Sequence, residues 1–215
     1  MRVKSMLAAG ALMAAAAAAA GGCGSGASSS RTAPPATSGH APATGGSAAP
    51  APVETESNPP GDIPDNTAYV PFRPAGGGYE VKVPEGWART GLPTGAVFTD
   101  KLNSVRVEVV PASTAPTAQS ARAGEAPKIG AAKMTVVKAE SLQRNGGTAV
   151  RLVYRFDSAP DPVTGKVVRD EAERYEFFKA GHQGGREAVL TLSGPVGADN
   201  VDPWRTVSNS FRWLP

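Results

Sequence analysis

Apolar and polar residues alternate with a period of two through most of the chain from Thr67 onward. A strand with this alternation has one apolar face and one polar face, which is typical of an antiparallel sheet with one face packed on a core. The clearest such stretches are Tyr79–Val83, Val105–Val109, Val150–Phe156 and Arg174–Phe177.

Turn residues predict how the strands pair. Asn145-Gly146-Gly147 indicates a hairpin between segments 134–142 and 148–157. Glycines at 181, 184 and 185 join segment 169–179 to segment 186–193. A strand at Ala96–Asp100 is expected to pair with Val105–Val110 through the turn at 101–103. The pattern predicts about seven strands in all. Whether the short segment Tyr69–Arg73 forms a strand is left open.

Two helices are predicted. Segment 117–129 is rich in alanine, but Gly124 and Pro127 interrupt it, so we expect a short or broken helix. Near the C-terminus, Asp202 is a good N-cap and Pro203 suits the first helical position. The residues of this second helix expected to form an apolar stripe against the sheet are Val201, Trp204, Val207 and Phe211. Strands followed by a terminal helix predict an α+β fold.

Two stretches carry a family resemblance. The sequence from Tyr79 to Trp87, YEVKVPEGW, resembles the opening strand and turn of PsbP-like domains, and the ending from Asp202 to Phe211 resembles their C-terminal helix. The resemblance covers about Ala68 to Trp213. It implies an antiparallel sheet with helices on both sides, an α-β-α sandwich found in actinobacterial lipoproteins including the LpqN type. Because that family is mostly non-enzymatic, the resemblance implies no catalytic residues.

The N-terminus has the layout of a secretory signal. Arg2 and Lys4 precede an apolar run from Met6 to Ala20, which is too short for a typical membrane-spanning helix. The run ends in Ala20-Gly21-Gly22-Cys23, which resembles the lipobox of bacterial lipoproteins, although Ala20 stands where Leu is usual. The resemblance implies that residues 1–22 are removed and that Cys23 carries the lipid. The alternative is an ordinary secreted protein with an incidental cysteine.

Residues 24–60 are expected to form a disordered tether. Of these 37 residues, 31 are Gly, Ala, Ser, Thr or Pro, and such a segment buries too little apolar surface to offset the entropy of ordering it. A glycosylated stalk is the alternative. All 13 aromatic residues lie from Tyr69 onward, so the foldable domain is expected at 61–215, with 19 basic and 17 acidic residues. The composition also suits a GC-rich, actinobacterial genome.

Composition excludes several kinds of site. One Cys and two His among 215 residues cannot supply a multi-cysteine zinc site or an Fe–S cluster, and no metal or other cofactor is predicted. His40 lies in the tether and His182 in a turn, without ligand partners at suitable spacing. The net charge of +3 is too small for a nucleic-acid footprint. Segment 163–167 resembles the end of a P-loop, but Pro160 and Val167 replace required residues, so a surface loop is expected at 158–166.

Several polar and aromatic residues could carry function, but each has a simpler structural explanation. The carboxylates are expected to form salt bridges with strand arginines, including Arg151 and Arg155, which could otherwise clamp an anion. The serines lack the Gly-x-Ser-x-Gly context of a nucleophile, and the tryptophans are expected in the core. Asp199, Asn200 and Asp202 are explained by helix capping. The candidates are Asp161, Asp170, Glu171, Glu173, Glu176, Ser104, Ser193, Ser208, Ser210, Trp87, Trp204 and Trp213.

These observations predict a lipid-anchored lipoprotein on the extracytoplasmic face of the cell membrane. We expect a non-catalytic binding or accessory module of the envelope, with an envelope protein or a small ligand as its partner. The alternatives are an envelope hydrolase with an unidentified carboxylate pair and a small-ligand carrier for a transporter. Converging carboxylates in a deep pocket would favour the hydrolase, and an enclosed apolar pocket would favour the carrier.

Overall fold

A computed structural model of the chain describes residues 59–181 and 184–215. Helical structure precedes the sixth strand as α1 (Ala118–Ser120), a π-helical segment (Ala121–Glu125) and α2 (Ala126–Ile129), and α3 (Val201–Ser210) lies near the C-terminus. The strands are β1 (Tyr69–Phe72), β2 (Tyr79–Pro84), β3 (Ala88–Leu92), β4 (Gly95–Asp100), β5 (Asn103–Ala112), β6 (Ala132–Arg144), β7 (Gly147–Asp157), β8 (Arg169–Lys179), β9 (Gly185–Pro195) and β10 (Arg212–Trp213).

The strands form two antiparallel sheets. The larger has seven strands in the order β3-β4-β5-β9-β8-β7-β6, and the smaller has three in the order β1-β2-β10. The prediction of an α+β fold built on an antiparallel sheet is therefore confirmed, but the predicted total of about seven strands is too low, because the described residues form ten strands in two sheets. The expected sandwich of helices on both sides is wrong in its proportions, because helices form only a small part of either outer layer.

The predicted hairpins are present. Strands β6 and β7 meet at the Asn145-Gly146 turn, with Arg144 opposite Gly147. Strand β4 pairs with β5, and β8 pairs with β9. Strand β2 departs from the prediction, because it pairs with β1 and β10 in the smaller sheet. Its place in the larger sheet is taken by β3, an edge strand whose residues are mostly exposed and therefore show no apolar alternation.

The front face of the larger sheet, defined here as the face covered by the smaller sheet and α3, holds the main core. Its buried residues come from five strands and meet aromatic residues of β2 and the C-terminus. Phe211 is central, because its ring stacks on Phe177 with centroids 4.3 Å apart and lies 5.9 Å from the ring of Tyr79. The front face is therefore closed by the C-terminal segment, as the sequence predicts.

The back face is covered by the helical segment 118–129. Thr117 begins this segment as its N-cap in a capping box with Ser120. Gly130 ends it in the left-handed conformation, with a φ of 66°. The break expected near Gly124 takes the form of the π-helical segment. Ala121 and Ala126 are buried against the apolar side chains of β7, which gives a second, smaller core.

Helix α3 differs from the prediction at its start. It begins at Val201 with Asn200 as its N-cap residue, so the assignment of Asp202 as N-cap is wrong. Asp202 instead pairs with Arg205 on the exposed side. Trp204, Val207 and Phe211 are buried as expected, but Val201 is 68% exposed. At about 100° per residue, Val201 falls just outside the arc of the helix that faces the core.

The predicted lipobox residues Ala20, Gly21 and Gly22, the lipidation site Cys23, the tether as far as Asn58, and both histidines lie outside the described residues. Within residues 59–181 and 184–215, no helix is long and apolar enough to cross a membrane.

Candidate functional site

Two clefts lie on opposite faces of the larger sheet. The basic cleft, on the front face, has a volume of about 300 Å³ and is lined by Arg89, Arg186, Tyr79, Leu92 and Val109, among others. Its rim is the glycine-rich loop 74–77. The acidic cleft, on the back face, has a volume of about 720 Å³, and the charged residues that line it are Glu108, Glu125, Glu176, Glu187, Lys128 and Arg174.

Register places both arginines of the basic cleft on the front face. Arg89 of β3 lies opposite Phe98, whose buried side chain belongs to the front-face core. Arg186 of β9 lies opposite Lys179, and its neighbour two residues along, Ala188, also belongs to that core. Because side chains of one face recur every second residue, both guanidinium groups extend from the sheet on the side where the cleft opens.

Aromatic rings hold these two arginines. The guanidinium carbon of Arg89 lies 4.8 Å from the centroid of the Phe72 ring, and that of Arg186 lies 4.9 Å from the centroid of the Trp213 ring. Such cation–π contacts stabilise the charge without using the N–H groups at the guanidinium edge. Among residues 59–181 and 184–215, neither arginine forms a salt bridge.

Gly78 allows Arg186 to reach its place. A Cβ atom on Gly78 would lie only 2.8 Å from Nη1 of Arg186, and the φ of Gly78 is +90°, which L-residues rarely adopt. Trp213 lies beside this position, because β10 pairs it with Tyr79 of β2. Arg186 is therefore packed between the glycine backbone and an aromatic ring, so its guanidinium is positioned before any ligand arrives.

Tyr79 provides a neutral donor at the base of the basic cleft. Burial is the main cause that raises the pKa of its hydroxyl to about 12, with a further contribution from the charge of Glu108, so the group stays protonated. The hydroxyl donates only a long hydrogen bond, 3.4 Å, to the carbonyl oxygen of Thr94. The cleft therefore combines two cations and a phenol against an apolar wall.

The acidic cleft has a different balance, because cations accompany most of its carboxylates. Arg174 Nε lies 2.8 Å from Oε1 of Glu176, and Lys128 Nζ lies 2.8 Å from Oε1 of Glu125. Glu187 forms no salt bridge with any described residue. Burial is the first cause that raises the pKa of its carboxyl to about 7, followed by the negative charge of Glu176.

The other carboxylates singled out from sequence serve the fold. Arg151 donates to both Glu140 and Glu173, and Arg155 Nε lies 2.7 Å from Glu171. The prediction of cross-strand salt bridges is confirmed for these pairs, so Arg151 and Arg155 are not free to clamp an anion.

Two aspartates show the opposite extremes of environment. Asp161 accepts hydrogen bonds from the backbone and hydroxyl of Thr164 and from the backbone of Val163, and these bonds lower its pKa. It closes the surface loop that the sequence predicts. Asp170 has a buried oxygen with no hydrogen-bond partner among the described residues, and burial raises its pKa to about 6. Sequence reasoning missed this second case, because it expected an arginine to pair with Asp170, and no arginine of the described residues forms a salt bridge with it.

The candidate serines and tryptophans also have structural roles. Ser104 and Ser193 share a hydrogen bond of 2.7 Å across β5 and β9. Ser208 accepts from Arg144, and Ser210 accepts from the backbone of Lys82. Trp204 is buried, and Trp87 and Trp213 pack at the edge of the front-face core. Within the described ranges, no group of three or more His, Cys, Asp or Glu residues is arranged to hold a metal ion.

The prediction that helix capping explains Asp199, Asn200 and Asp202 is wrong, because Asn200 is the N-cap residue of α3 but its side chain makes no capping hydrogen bond. The Asn200 side chain accepts from the backbone N–H of Ile63 and donates to the carbonyl of Gly61, and the backbone N–H of Asp199 donates to the carboxylate of Asp62. Asn103 also donates to the carbonyl of Gly61. These bonds fasten segment 61–63 to the larger sheet and α3, a role that the capping prediction did not include.

Comparison with known proteins gives distant likenesses. No protein-family model matches the chain, and no curated protein matches it. A crystal structure of LpqN, involved in cell envelope biogenesis of Mycobacterium tuberculosis, is 10% identical with a TM-score of 0.47, covering 70% of this chain and 93% of that one. The Ran-binding protein Mog1p of Saccharomyces cerevisiae is 12% identical with a TM-score of 0.46, covering 68% and 95%.

A third solved structure, a Pseudomonas aeruginosa protein of unknown function, is 14% identical with a TM-score of 0.35, and the match covers 68% of this chain and 96% of that one. These likenesses do not test the lipid anchor or the PsbP-like assignment, which stay predictions.

Proposed function

We propose that the chain is a lipid-anchored, non-catalytic binding module on the extracytoplasmic face of an actinobacterial cell membrane. In this proposal residues 1–22 are removed, Cys23 carries the lipid, residues 24–60 form the tether, and the domain from Gly61 to Pro215 presents the basic cleft to a small ligand. The observation that carries the binding role is the pair Arg89 and Arg186, held by aromatic rings and lacking carboxylate partners in the described part of the chain.

The surroundings of the other polar groups favour binding over catalysis. Ser104 and Ser193 bond to each other, and Ser208 and Ser210 bond to groups of α3 and its neighbours. A nucleophile needs a free base within hydrogen-bond reach, and these hydroxyls are engaged elsewhere. A cleft of about 300 Å³ with a few polar groups on an apolar wall has the character of a small-molecule site.

The anchor can be tested on the mature N-terminus. Mass spectrometry of the chain recovered from host membranes is expected to show Cys23 as the first residue with a diacylglyceryl group on its sulfur. Two or more acyl chains are sufficient for stable attachment to a membrane. An unmodified Cys23 in an uncut chain would exclude the lipid anchor and leave the role of the cleft to a separate test.

The binding role can be tested by filling the basic cleft. Gly91 lines this cleft, and a Cβ atom added there has no neighbour within 4 Å, so the side chain of Gly91→Trp is expected to occupy the cleft. Native mass spectrometry of the full chain from host membranes should show a retained non-protein mass that Gly91→Trp removes. Gly124→Trp, on the helical segment of the opposite face, also enters open space and should keep the mass. Equal retention by both variants would contradict the proposed site.

A second candidate function is an envelope hydrolase, favoured by the acidic cleft. Glu176 and Glu187 line the same cleft, and a carboxyl whose pKa is raised to about 7 is suited to act as a general acid. Against this, one oxygen of Glu176 is bound by Arg174. Release of reducing ends from purified envelope glycan by the wild-type chain, with loss in Glu187→Gln, would establish the hydrolase and displace the binding proposal.

A further inference from the structure

We infer that the basic cleft binds a small amphiphile with one anionic head group, a carboxylate or a phosphate, and a short apolar tail. This inference rests on the proposed function and specifies its ligand. Arg89 and Arg186 would bind the head, Tyr79 would donate a hydrogen bond beside them, and Leu92 and Val109 would contact the tail.

The charge of the cleft selects an anion. A guanidinium presents several N–H donors in a planar fork that matches the two oxygens of a carboxylate or phosphate. Arginines in this protein usually meet a carboxylate, as Arg151 meets Glu140 and Glu173. Arg89 and Arg186 line one cleft and have no such partner among residues 59–181 and 184–215. Their positive potentials therefore add in the cleft and attract an anion.

The positions of the two arginines are fixed in advance. The guanidinium carbons of Arg89 and Arg186 lie over the rings of Phe72 and Trp213, and a cation–π contact does not require the N–H groups as hydrogen-bond donors. Gly78 gives Arg186 room that any larger residue would remove. Binding to a positioned donor loses less conformational entropy than binding to a free side chain, so the cleft is organised for a ligand rather than for solvent.

The apolar wall selects a short tail. Leu92 and Val109 are partly buried beside Tyr79, whose side chain is 1% exposed, and Pro93 continues the wall at the rim. A volume of about 300 Å³ is at the lower end of the range for small-molecule sites, about 300–1,000 Å³. The cleft therefore suits an alkyl chain of modest length and is too small for a folded partner.

Five probes with a matched tail or head separate these features. Isothermal titration of the full chain would compare octyl phosphate, octanoate, 1-octanol, octylammonium and inorganic phosphate, with the charged octyl compounds below their critical micelle concentrations and 1-octanol below its solubility limit. Octyl phosphate and octanoate are expected to bind. Octanol, which lacks the charge, and inorganic phosphate, which lacks the tail, should each bind at least about tenfold more weakly, the scale of a charge-assisted hydrogen bond or a short buried chain. Octylammonium should give no heat of binding.

Variants test the assigned residues. Arg89→Gln and Arg186→Gln should each weaken octyl phosphate binding by about tenfold or more. Arg186→Lys, which keeps the charge but loses the planar fork, should fall between Arg186→Gln and the wild type. Arg122→Gln is the control, because Arg122 is an exposed arginine of the back-face helical segment that also lacks a salt bridge among the described residues. It should bind octyl phosphate like the wild type.

The outcomes separate this inference from the proposed function. If octanol binds as tightly as octyl phosphate, the ligand needs no anionic head group. If inorganic phosphate binds as tightly as octyl phosphate, the ligand needs no apolar tail. Failure of every probe, with a retained mass that Gly91→Trp still removes, would overturn the ligand class and leave the small-ligand function intact. If every probe fails and Gly91→Trp also removes no retained mass, both the ligand class and the proposed small-ligand function are wrong. Octylammonium binding that Glu187→Gln abolishes would move the ligand site to the acidic cleft.

Discussion

The two clefts of the larger sheet differ in what balances their charges. On the back face, Glu108, Glu125 and Glu176 each have a cation within salt-bridge distance, and only Glu187 lacks one among the described residues. On the front face, Arg89 and Arg186 are stabilised by aromatic rings and have no carboxylate in contact within the same ranges. Salt bridges within the protein therefore neutralise most carboxylates of the acidic cleft, whereas the two arginines of the basic cleft have no anionic partner among the described residues.

This difference shows how a functional charge can be distinguished from a structural one. A charge paired inside the protein contributes a modest amount to folding and is already compensated for its desolvation. A guanidinium held by aromatic rings in a cleft keeps its N–H groups available, and an anionic ligand can accept hydrogen bonds from them. The lack of a carboxylate partner, rather than the number of charged residues, is the reason for proposing the basic cleft as the ligand site.

The largest expected effect comes from the core beneath the basic cleft. Phe211→Ala should lower the free energy of unfolding by about 3–5 kcal/mol, because the Phe211 ring is fully buried and stacks on Phe177 and Tyr79. Arg205→Ala on the exposed side of α3 removes only an i,i+3 pair with Asp202 and should cost less than about 0.5 kcal/mol. Urea unfolding measures both. A stable Phe211→Ala variant would mean that the C-terminal segment is not part of the front-face core.

A smaller effect isolates the position of Arg186. Gly78→Ala and Gly86→Ala both place a methyl group at a positive φ, 90° and 79°, so each should lose about 1–2 kcal/mol of stability through backbone strain. Only the methyl at residue 78 meets Arg186, at the flexible end of its side chain, whereas the methyl at residue 86 meets open space. Octyl phosphate affinity should therefore fall several-fold in Gly78→Ala alone. Equal affinity in the two variants would show that Arg186 needs no fixed position.

On the back face, the expected effect depends on pH. The pKa of the Glu187 carboxyl rises from its ordinary 4.5 to about 7 in the folded protein, so between these values the folded state holds a proton that the unfolded state has released. The contribution of Glu187 to stability is therefore greatest below about pH 4.5 and decreases as pH rises through 7. The charged groups around it are Glu108, Glu125, Lys128, Arg174 and Glu176.

Glu187→Gln should remove this contribution. Unfolding free energies at pH 5 and pH 7.5 should differ less in Glu187→Gln than in the wild type, with the variant relatively more stable at the higher pH. Carboxyls whose pKa is lowered, such as those of Glu80 and Asp157, contribute in the opposite direction at lower pH and are the same in both chains. An unchanged pH dependence would place Glu187 in contact with solvent rather than in the cleft.

The sequence predicts the strands that bury one face and misses those that do not. Segment 169–179 matches β8 at both ends, because its alternation reflects a half-buried strand. Strand β3 escapes prediction because an exposed edge strand imposes no apolar pattern, and β10 is only two residues long. The division into two sheets is also missed, since alternation reports burial and not which strand is the neighbour.

The candidate site is harder to predict for the same reason. Arg151 and Arg155 attract attention because they share one face of a predicted strand, and Glu173 and Glu171 of the neighbouring strand prove to be their structural partners. Arg89 and Arg186 carry no local signal, since their aromatic contacts, Phe72 and Trp213, come from distant strands. The glycine-rich segment before Tyr79 is the one feature that could have indicated a close approach of another group.

The smallest expected effect concerns the chain before the front-face core. A chain that begins at Gly61 should unfold within about 1 kcal/mol of the full mature chain, because it keeps the Gly61 carbonyl, the Ile63 N–H and the buried Ile63 side chain. A chain that begins at Asp65 removes all three and leaves the buried side chain of Asn200 without these partners, which should cost at least about 1–3 kcal/mol. Thermal unfolding of the two chains tests where the domain begins. A large loss already at Gly61 would show that residues before it pack on the domain, and the proposed tether would then be shorter.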